Sequence, residues 1–234
     1  MDRRFARKAF PVRLAPLPLA VSLAVGGLFA GLSSPSAEAA CTAFTPSTAV
    51  TCNGAIIAVN SAAANMVVTF DGTARISSLL NGLASATFTG INTEVINNGE
   101  INPSTFGDII SLSSGLFIGN ISNNLQVITN NGTLKGTSGS VLVPSLIGLT
   151  GMAIEARNGG AGTTTITNSG TISGRPLIGI TGLADADIPV VAVAGGKVVM
   201  SNSGTITGRI SFAASATGNT FTNIGTLTGS LSMG

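Results

Sequence analysis

One ten-residue phrase occurs five times in this 234-residue chain and restricts the folds open to it. The copies begin at Glu94, Val127, Thr165, Val199 and Thr220. Two of the ten places are always apolar, one is always Asn and one is always Gly, and Ser or Thr fills most places between them. Alternation of apolar and polar residues is typical of β-strands. Each phrase therefore predicts a strand, a bend at Asn-x-Gly and a second strand.

The fixed places of the phrase predict separate physical roles. The second and eighth places are apolar, and we expect them to face a core. We expect a sharp turn at the sixth place, because Gly accepts positive φ and the nearby Asn hydrogen-bonds its own backbone. We expect the Asn side chains to form a ladder of amides between copies. The repeat Asn residues are Asn97, Asn130, Asn168, Asn202 and Asn223, and the repeat Gly residues are Gly99, Gly132, Gly170, Gly204 and Gly225.

The distance between copies predicts a coiled architecture. Successive repeat glycines are 33, 38, 34 and 21 residues apart. A gap of about 20 residues fits one coil of a β-solenoid, and longer gaps fit coils with inserted loops. The inserts support this interpretation, because LIGLTG at residues 146–151 recurs as LIGITG at residues 177–182. We therefore expect an all-β, parallel β-helix with three sheets and about six to eight coils. The alternative, a β-sandwich, gives no reason for identical phrases at fixed places.

The first 39 residues have the pattern of an export signal. Residues 3–13 include five basic residues, residues 14–32 are almost wholly apolar, and Ala37-Glu38-Ala39 supplies the small residues that precede a cleavage site. A membrane anchor is the alternative, but Pro16 and Pro18 weaken a permanent helix and no charged residue follows to stop it. We expect residues 1–39 to be a cleaved signal peptide.

Two cysteines, Cys41 and Cys52, follow this segment closely. In an oxidising compartment two nearby cysteines pair, and the short ring would stabilise the fold by about 2–3 kcal/mol. Two free thiols are the alternative. We expect residues 40–60 to form an N-terminal cap with this disulfide and residues 61–234 to form the β-helix repeats. The repeats break off soon after the fifth phrase, so we expect a truncated C-terminus.

Composition argues against several classes of function. Charged residues make up 9% of the chain, and it contains no His, which is the usual general base and the commonest metal ligand. Five of the 11 basic and two of the nine acidic residues lie in residues 1–39, so the remainder carries six basic and seven acidic groups. Such a balance gives no basic patch for nucleic acid. We expect no cofactor, no metal site, no catalytic residue and no nucleic-acid partner.

The acidic residues leave one enzymatic alternative. Parallel β-helices include polysaccharide lyases and glycoside hydrolases, which need carboxylates or a base at one sugar. Asp185 and Asp187 are two residues apart and would form either a carboxylate pair or part of a solvated loop. Glu155 and Arg157 have the same spacing, which favours an exposed ion pair. Convergence of these four side chains in one groove would favour the enzyme.

Beyond residue 39 the chain resembles the N-terminal part of bacterial autotransporter passenger proteins. The resemblance rests on the Ala-Glu-Ala site, the early cysteine pair and the NSGTI-x-G phrases. It implies a right-handed parallel β-helix that is secreted or displayed at the bacterial cell surface, in association with the outer membrane. It also implies an adhesin-like role in attachment or aggregation, with a surface glycan, a protein or further copies of itself as partner. Membrane contact would come through a C-terminal barrel that is not present in this chain.

Overall fold

The computed structural model describes residues 40–77, 84–103, 114–138, 152–176 and 188–234. These residues form β-strands and turns and contain no helix, which confirms the all-β prediction. The expected signal peptide and both copies of the LIG repeat lie outside the described residues. Within the described part of the chain, no helix has the length and apolar character to cross a membrane.

The strands are short, and most alternate buried and exposed side chains as the period-two pattern predicts. In chain order they are β1 (Ala40–Cys41), β2 (Ala49–Asn53), β3 (Ala55–Ile57), β4 (Val59–Ser61), β5 (Val67–Phe70), β6 (Arg75–Ser77), β7 (Ala86–Phe88), β8 (Glu94–Asn97), β9 (Glu100–Ile101), β10 (Leu116–Gly119), β11 (Leu125–Asn130), β12 (Thr133–Ser138), β13 (Ile154–Arg157), β14 (Thr163–Asn168), β15 (Thr171–Pro176), β16 (Pro189–Ala194), β17 (Lys197–Asn202), β18 (Thr205–Thr207), β19 (Arg209–Phe212), β20 (Thr220–Asn223), β21 (Thr226–Thr228) and β22 (Leu231–Ser232).

The strands belong to three sheets that the chain visits in a fixed cyclic order. Sheet 1 has the order β1-β2-β5-β8-β11-β14-β17-β20, sheet 2 the order β3-β6-β9-β12-β15-β18-β21, and sheet 3 the order β4-β7-β10-β13-β16-β19-β22. All neighbouring strands pair in parallel except β1 and β2, which are antiparallel. We call each successive set of three strands a rung, from rung 1 (β2 to β4) to rung 7 (β20 to β22). This order is consistent with a β-solenoid.

The repeated phrase sets the register between rungs. Its second-place residues follow one another in sheet 1 and its eighth-place residues do so in sheet 2, so like side chains lie over like side chains. All are fully buried except those of rung 7, which are partly buried. The two columns are Val95, Ile128, Ile166, Met200 and Phe221, and Ile101, Leu134, Ile172, Ile206 and Leu227.

Sheet 3 supplies the third group of core residues, although the phrase does not include it. One of its columns contains Leu116, Ile154, Val191 and Ile210 in register, all fully buried. Side chains from all three sheets belong to one buried hydrophobic cluster. Repeated aliphatic columns therefore build a core with few aromatic residues.

Parallel pairing begins earlier in the chain than the first recognisable phrase. Residues 49–61 supply the first parallel strand of each sheet, and all of them except Ser61 lie within the segment 40–60 that was expected to form the cap. Their sequence AVTCNGAIIA follows the phrase at its second, sixth and eighth places but has Cys52 in place of Asn. The antiparallel strand β1 lies outside this rung, on the free edge of β2.

Candidate functional site

The five repeat Asn residues lie in one column of sheet 1. The Nδ2 atom of each of the first four donates to the Oδ1 atom of the Asn on the next rung, at 2.7–2.8 Å. The Nδ2 atoms also donate to backbone carbonyls, as from Asn130 to the oxygen of Thr171 at 3.2 Å. Buried amides need such partners, so the ladder makes polar groups compatible with an apolar core. Its role is structural.

The repeat glycines also stack, but the physical reason differs from the predicted one. Their φ angles lie outside the left-handed region, so the expectation that Gly provides a positive φ at the sixth place is wrong. A Cβ built on Gly170 would instead overlap the carbonyl oxygen of Gly132, and a Cβ on Gly204 would overlap that of Gly170. Glycine is required because the corners of successive rungs approach each other closely.

The two cysteines join β1 to β2. Cys41 and Cys52 are direct partners in the antiparallel pair and are disulfide-bonded, with their Cα atoms 4.0 Å apart. Cys52 is fully buried in the core and Cys41 packs against it. The disulfide therefore fastens an antiparallel strand over the first edge of sheet 1, where an open edge would otherwise invite pairing with another chain.

A buried polar cluster on rungs 4 and 5 was missed by the sequence reasoning. Thr164 Oγ1 donates to Gln126 Oε1 at 3.2 Å, and Gln126 Nε2 donates to the backbone oxygen of Arg157 at 2.7 Å. Asn158 Nδ2 donates to the backbone oxygen of Asn124 at 2.9 Å. Gln126 and Thr164 each directly precede a phrase. Extending the period-two alternation of the phrase by one residue toward the N-terminus would have predicted that both side chains face the core.

The outer surface of rungs 5 to 7 is an almost unbroken array of hydroxyl groups. It covers three adjoining regions: the outer face of sheet 1 next to the Asn-x-Gly corner, the corner itself, and the outer face of sheet 2. Its side chains are exposed or half-exposed. We call it the hydroxyl wall: Thr167, Ser169, Thr171 and Ser173 on rung 5, Ser201, Ser203, Thr205 and Thr207 on rung 6, and Thr222, Ile224, Thr226 and Thr228 on rung 7.

The wall is uncharged and regular. Ile224, which is 84% exposed, is the one member of the wall without a hydroxyl. Rungs repeat about every 4.8 Å, and outward side chains on one strand are about 7 Å apart. On earlier rungs of sheet 2, Glu100 pairs with Arg75 at 3.7 Å and with Lys135 at 3.3 Å, and β15 on rung 5 contains Arg175 beyond the last wall residue of that strand. The side chains of the wall itself therefore offer hydrogen-bond donors and acceptors but no charge.

The residues of the enzymatic alternative are only partly described. Arg157 Nη2 lies 2.7 Å from Glu155 Oε1 on the outer face of sheet 3, and the guanidinium lies 5.6 Å from the ring centroid of Phe117. Ser114 Oγ donates to the other oxygen of Glu155 at 3.4 Å. This carboxylate is thus held by an ion pair and a hydroxyl. Asp185 and Asp187 lie outside the described residues.

Within the described ranges, no group of three or more Cys, Asp or Glu side chains lies close enough together to hold a metal ion. No protein family, curated protein or solved structure matches this chain.

Proposed function

We propose that the chain is an exported, surface-displayed interaction module, an adhesin-like passenger segment that binds a cell-surface ligand rich in hydroxyl groups, such as a glycan. The hydroxyl wall carries this proposal. A hydroxyl both donates and accepts hydrogen bonds, so rows of Ser and Thr complement a neutral, hydroxylated polymer. A rigid array also loses little side-chain entropy on binding, because β-branched Thr has restricted rotamers.

We further propose that the three sheets close into a right-handed parallel β-helix. After each strand the chain passes through the other two sheets and returns as the parallel neighbour of that strand, and crossovers between parallel strands of one sheet are right-handed in nearly all proteins. The cyclic sheet order and the single buried cluster support this arrangement. A rod of this kind presents its outer faces over a long, stiff surface, which suits attachment between cells.

The test removes hydroxyl groups without changing the shape of the wall. The triple variant Thr205→Val, Thr207→Val and Thr226→Val keeps β-branched side chains on sheet 2. Loss of three hydrogen bonds is expected to weaken glycan binding and cell adhesion by about tenfold or more. Glycan arrays and adhesion assays measure both effects.

A matched control separates the wall from a general loss of hydroxyl groups. The triple variant Thr51→Val, Thr69→Val and Thr87→Val changes outward threonines of rungs 1 and 2. It should bind and adhere as the unmodified protein does. If the unmodified protein neither binds glycans nor supports adhesion, the proposed function is rejected. If the two triple variants lose binding and adhesion to the same extent, the wall is rejected as the binding site.

A further inference from the structure

Among the acidic residues in the part of the chain that the structure describes, only Glu94 has a carboxylate without a hydrogen-bond or ion-pair partner. The other three carboxylates are engaged: Asp71 by Thr73, Glu100 by Arg75 and Lys135, and Glu155 by Arg157. Removing a charge from water without a partner is unfavourable, so a half-buried free carboxylate favours binding of a cation.

Glu94 lies in a surface pocket of about 180 Å³ on the outer face of sheet 1. In its column Val67 lies on the rung before and Val127 on the rung after. Leu125, which is 51% exposed, lines another side. The carboxylate is therefore surrounded by aliphatic groups and open to solvent.

The rim of the pocket is fixed by two asparagines at the corner that precedes sheet 1. Asn65 and Asn92 both have positive φ, at 56° and 52°, a conformation that Asn tolerates better than most residues. Asn92 Nδ2 donates to Asn65 Oδ1 at 2.9 Å, and the backbone N–H of Leu125 donates to Asn92 Oδ1 at 3.1 Å. Both amide oxygens thus have donors already, whereas the Glu94 carboxylate has none.

We propose that this pocket binds an alkylammonium group, that is, a primary ammonium on an aliphatic stem, as in a free amine or a lysine side chain. The ammonium pairs with Glu94 and the stem covers Val67, Val127 and Leu125, in the way that long cationic side chains cover apolar surface. A neutral alcohol of the same length leaves the carboxylate unpaired. The inference does not depend on the hydroxyl wall, which lies on rungs 5 to 7.

Methyl resonances of the purified protein report binding directly. n-Butylamine is expected to shift the methyl signals of Val67, Val127 and Leu125, whereas n-butanol at the same concentration leaves them unchanged. Added salt should weaken the effect, because it screens the ion pair. If the natural ligand is a lysine side chain, Nα-acetyl-lysine methylamide should produce the same shifts as butylamine. If the natural ligand is a free amine, butylamine alone should produce them.

Two variants complete the test. Glu94→Gln removes the charge at a side chain without partners, so it should fold normally and bind butylamine about tenfold more weakly or worse. Glu100→Gln is the matched control, since it removes a carboxylate from the neighbouring sheet, and it should bind as the unmodified protein does. Equal shifts with butanol, no shift with either amine, or undiminished butylamine binding by Glu94→Gln would overturn the proposal.

Discussion

Phe70 occupies the rung before Asn97 in the same buried column, and the Oδ1 atom of Asn97 has no hydrogen-bond partner. The amide ladder therefore has a direction, because each Nδ2 donates toward rung 7 and the first acceptor receives no donor. A buried polar atom without a partner costs about 1–3 kcal/mol. The five Asn residues should therefore contribute unequally to the free energy of unfolding, and substitution of individual members should show this difference.

Replacement of Asn168 by Leu is expected to lower the free energy of unfolding by about 2–5 kcal/mol, because it leaves the Nδ2 atom of Asn130 and the Oδ1 atom of Asn202 buried without their ladder partners. Asn97→Leu should cost less, since it deprives a single neighbour and also removes the unpaired oxygen. Denaturant unfolding of both variants measures the difference.

Asn223→Leu is the control for the ladder series. Asn223 is exposed at the last rung, and the Nδ2 atom of Asn202, which loses it as a partner, still donates to the backbone oxygens of Gly204 and Thr226. The expected loss is about 1 kcal/mol or less. Equal losses at Asn97, Asn168 and Asn223 would contradict a directional, buried ladder.

The sequence predicted this column because its chemistry repeats. Five copies of one phrase place the same residue types at the same step, so the register of sheets 1 and 2 could be read from the chain. No copy of the phrase was recognised on rungs 1 and 2, because Cys52 and Phe70 occupy the Asn position there, although rung 2 lies within residues 61–234, which were expected to form the repeats. A search based on Asn does not detect a rung whose core residue is apolar.

The corners allow a second prediction. Gly170→Ala introduces a Cβ that overlaps the carbonyl oxygen of Gly132, a rigid backbone atom. The expected loss of unfolding free energy is about 3 kcal/mol or more, because the backbone of a whole corner must shift. Gly160→Ala is the control, since no atom lies within 4 Å of the new Cβ, and it should stay within about 0.5 kcal/mol. Similar losses in the two variants would reject close approach as the reason for the repeat glycines.

Features that occur once or twice are beyond the reach of repeat analysis. Gln126 and Thr164 find partners on adjacent rungs, whereas Val198 holds the same column position on rung 6. The pocket around Glu94 depends on Asn65 and Asn92, which adopt positive φ at a corner that no phrase includes. Such sites form where particular side chains become neighbours on adjacent rungs. Which residues become neighbours is known only from the register between the rungs.

The disulfide gives a third prediction. The double variant Cys41→Ala and Cys52→Ala should lower the free energy of unfolding by about 2–3 kcal/mol, because the unfolded chain regains the freedom of the closed loop. Reduction of the unmodified protein should have a similar effect, and Ala43→Ser, a change at an exposed residue near the bridge, is the control. Unchanged denaturant midpoints in both the double variant and the reduced protein would show that the bridge does not stabilise the fold.

Asp71 gives a prediction for acid stability. The Thr73 hydroxyl donates to its Oδ1 atom at 2.6 Å, and the backbone N–H groups of Thr73 and Ala74 donate at 2.8 and 3.1 Å. These bonds, the hydroxyl first, lower the pKa of Asp71 below its ordinary value of 3.8. Its contribution to stability is therefore complete above that value and is lost as the pH falls through the lower, folded-state pKa.

Asp71→Asn removes this titration while keeping an acceptor at the same place, so the stability advantage of the unmodified protein over the variant should shrink as the pH falls from about 6 to about 2. Thr73→Val removes the strongest donor and should shift the acid transition of Asp71 back toward higher pH, which carboxyl NMR titration measures. Lys197→Gln, a change on sheet 1 away from this corner, should leave the titration of Asp71 unaltered. If the difference in unfolding free energy between the unmodified protein and Asp71→Asn stays constant over this range, Asp71 has the same pKa in the folded and unfolded chains. The hydrogen bonds from Thr73 would then contribute nothing to the pH dependence of stability.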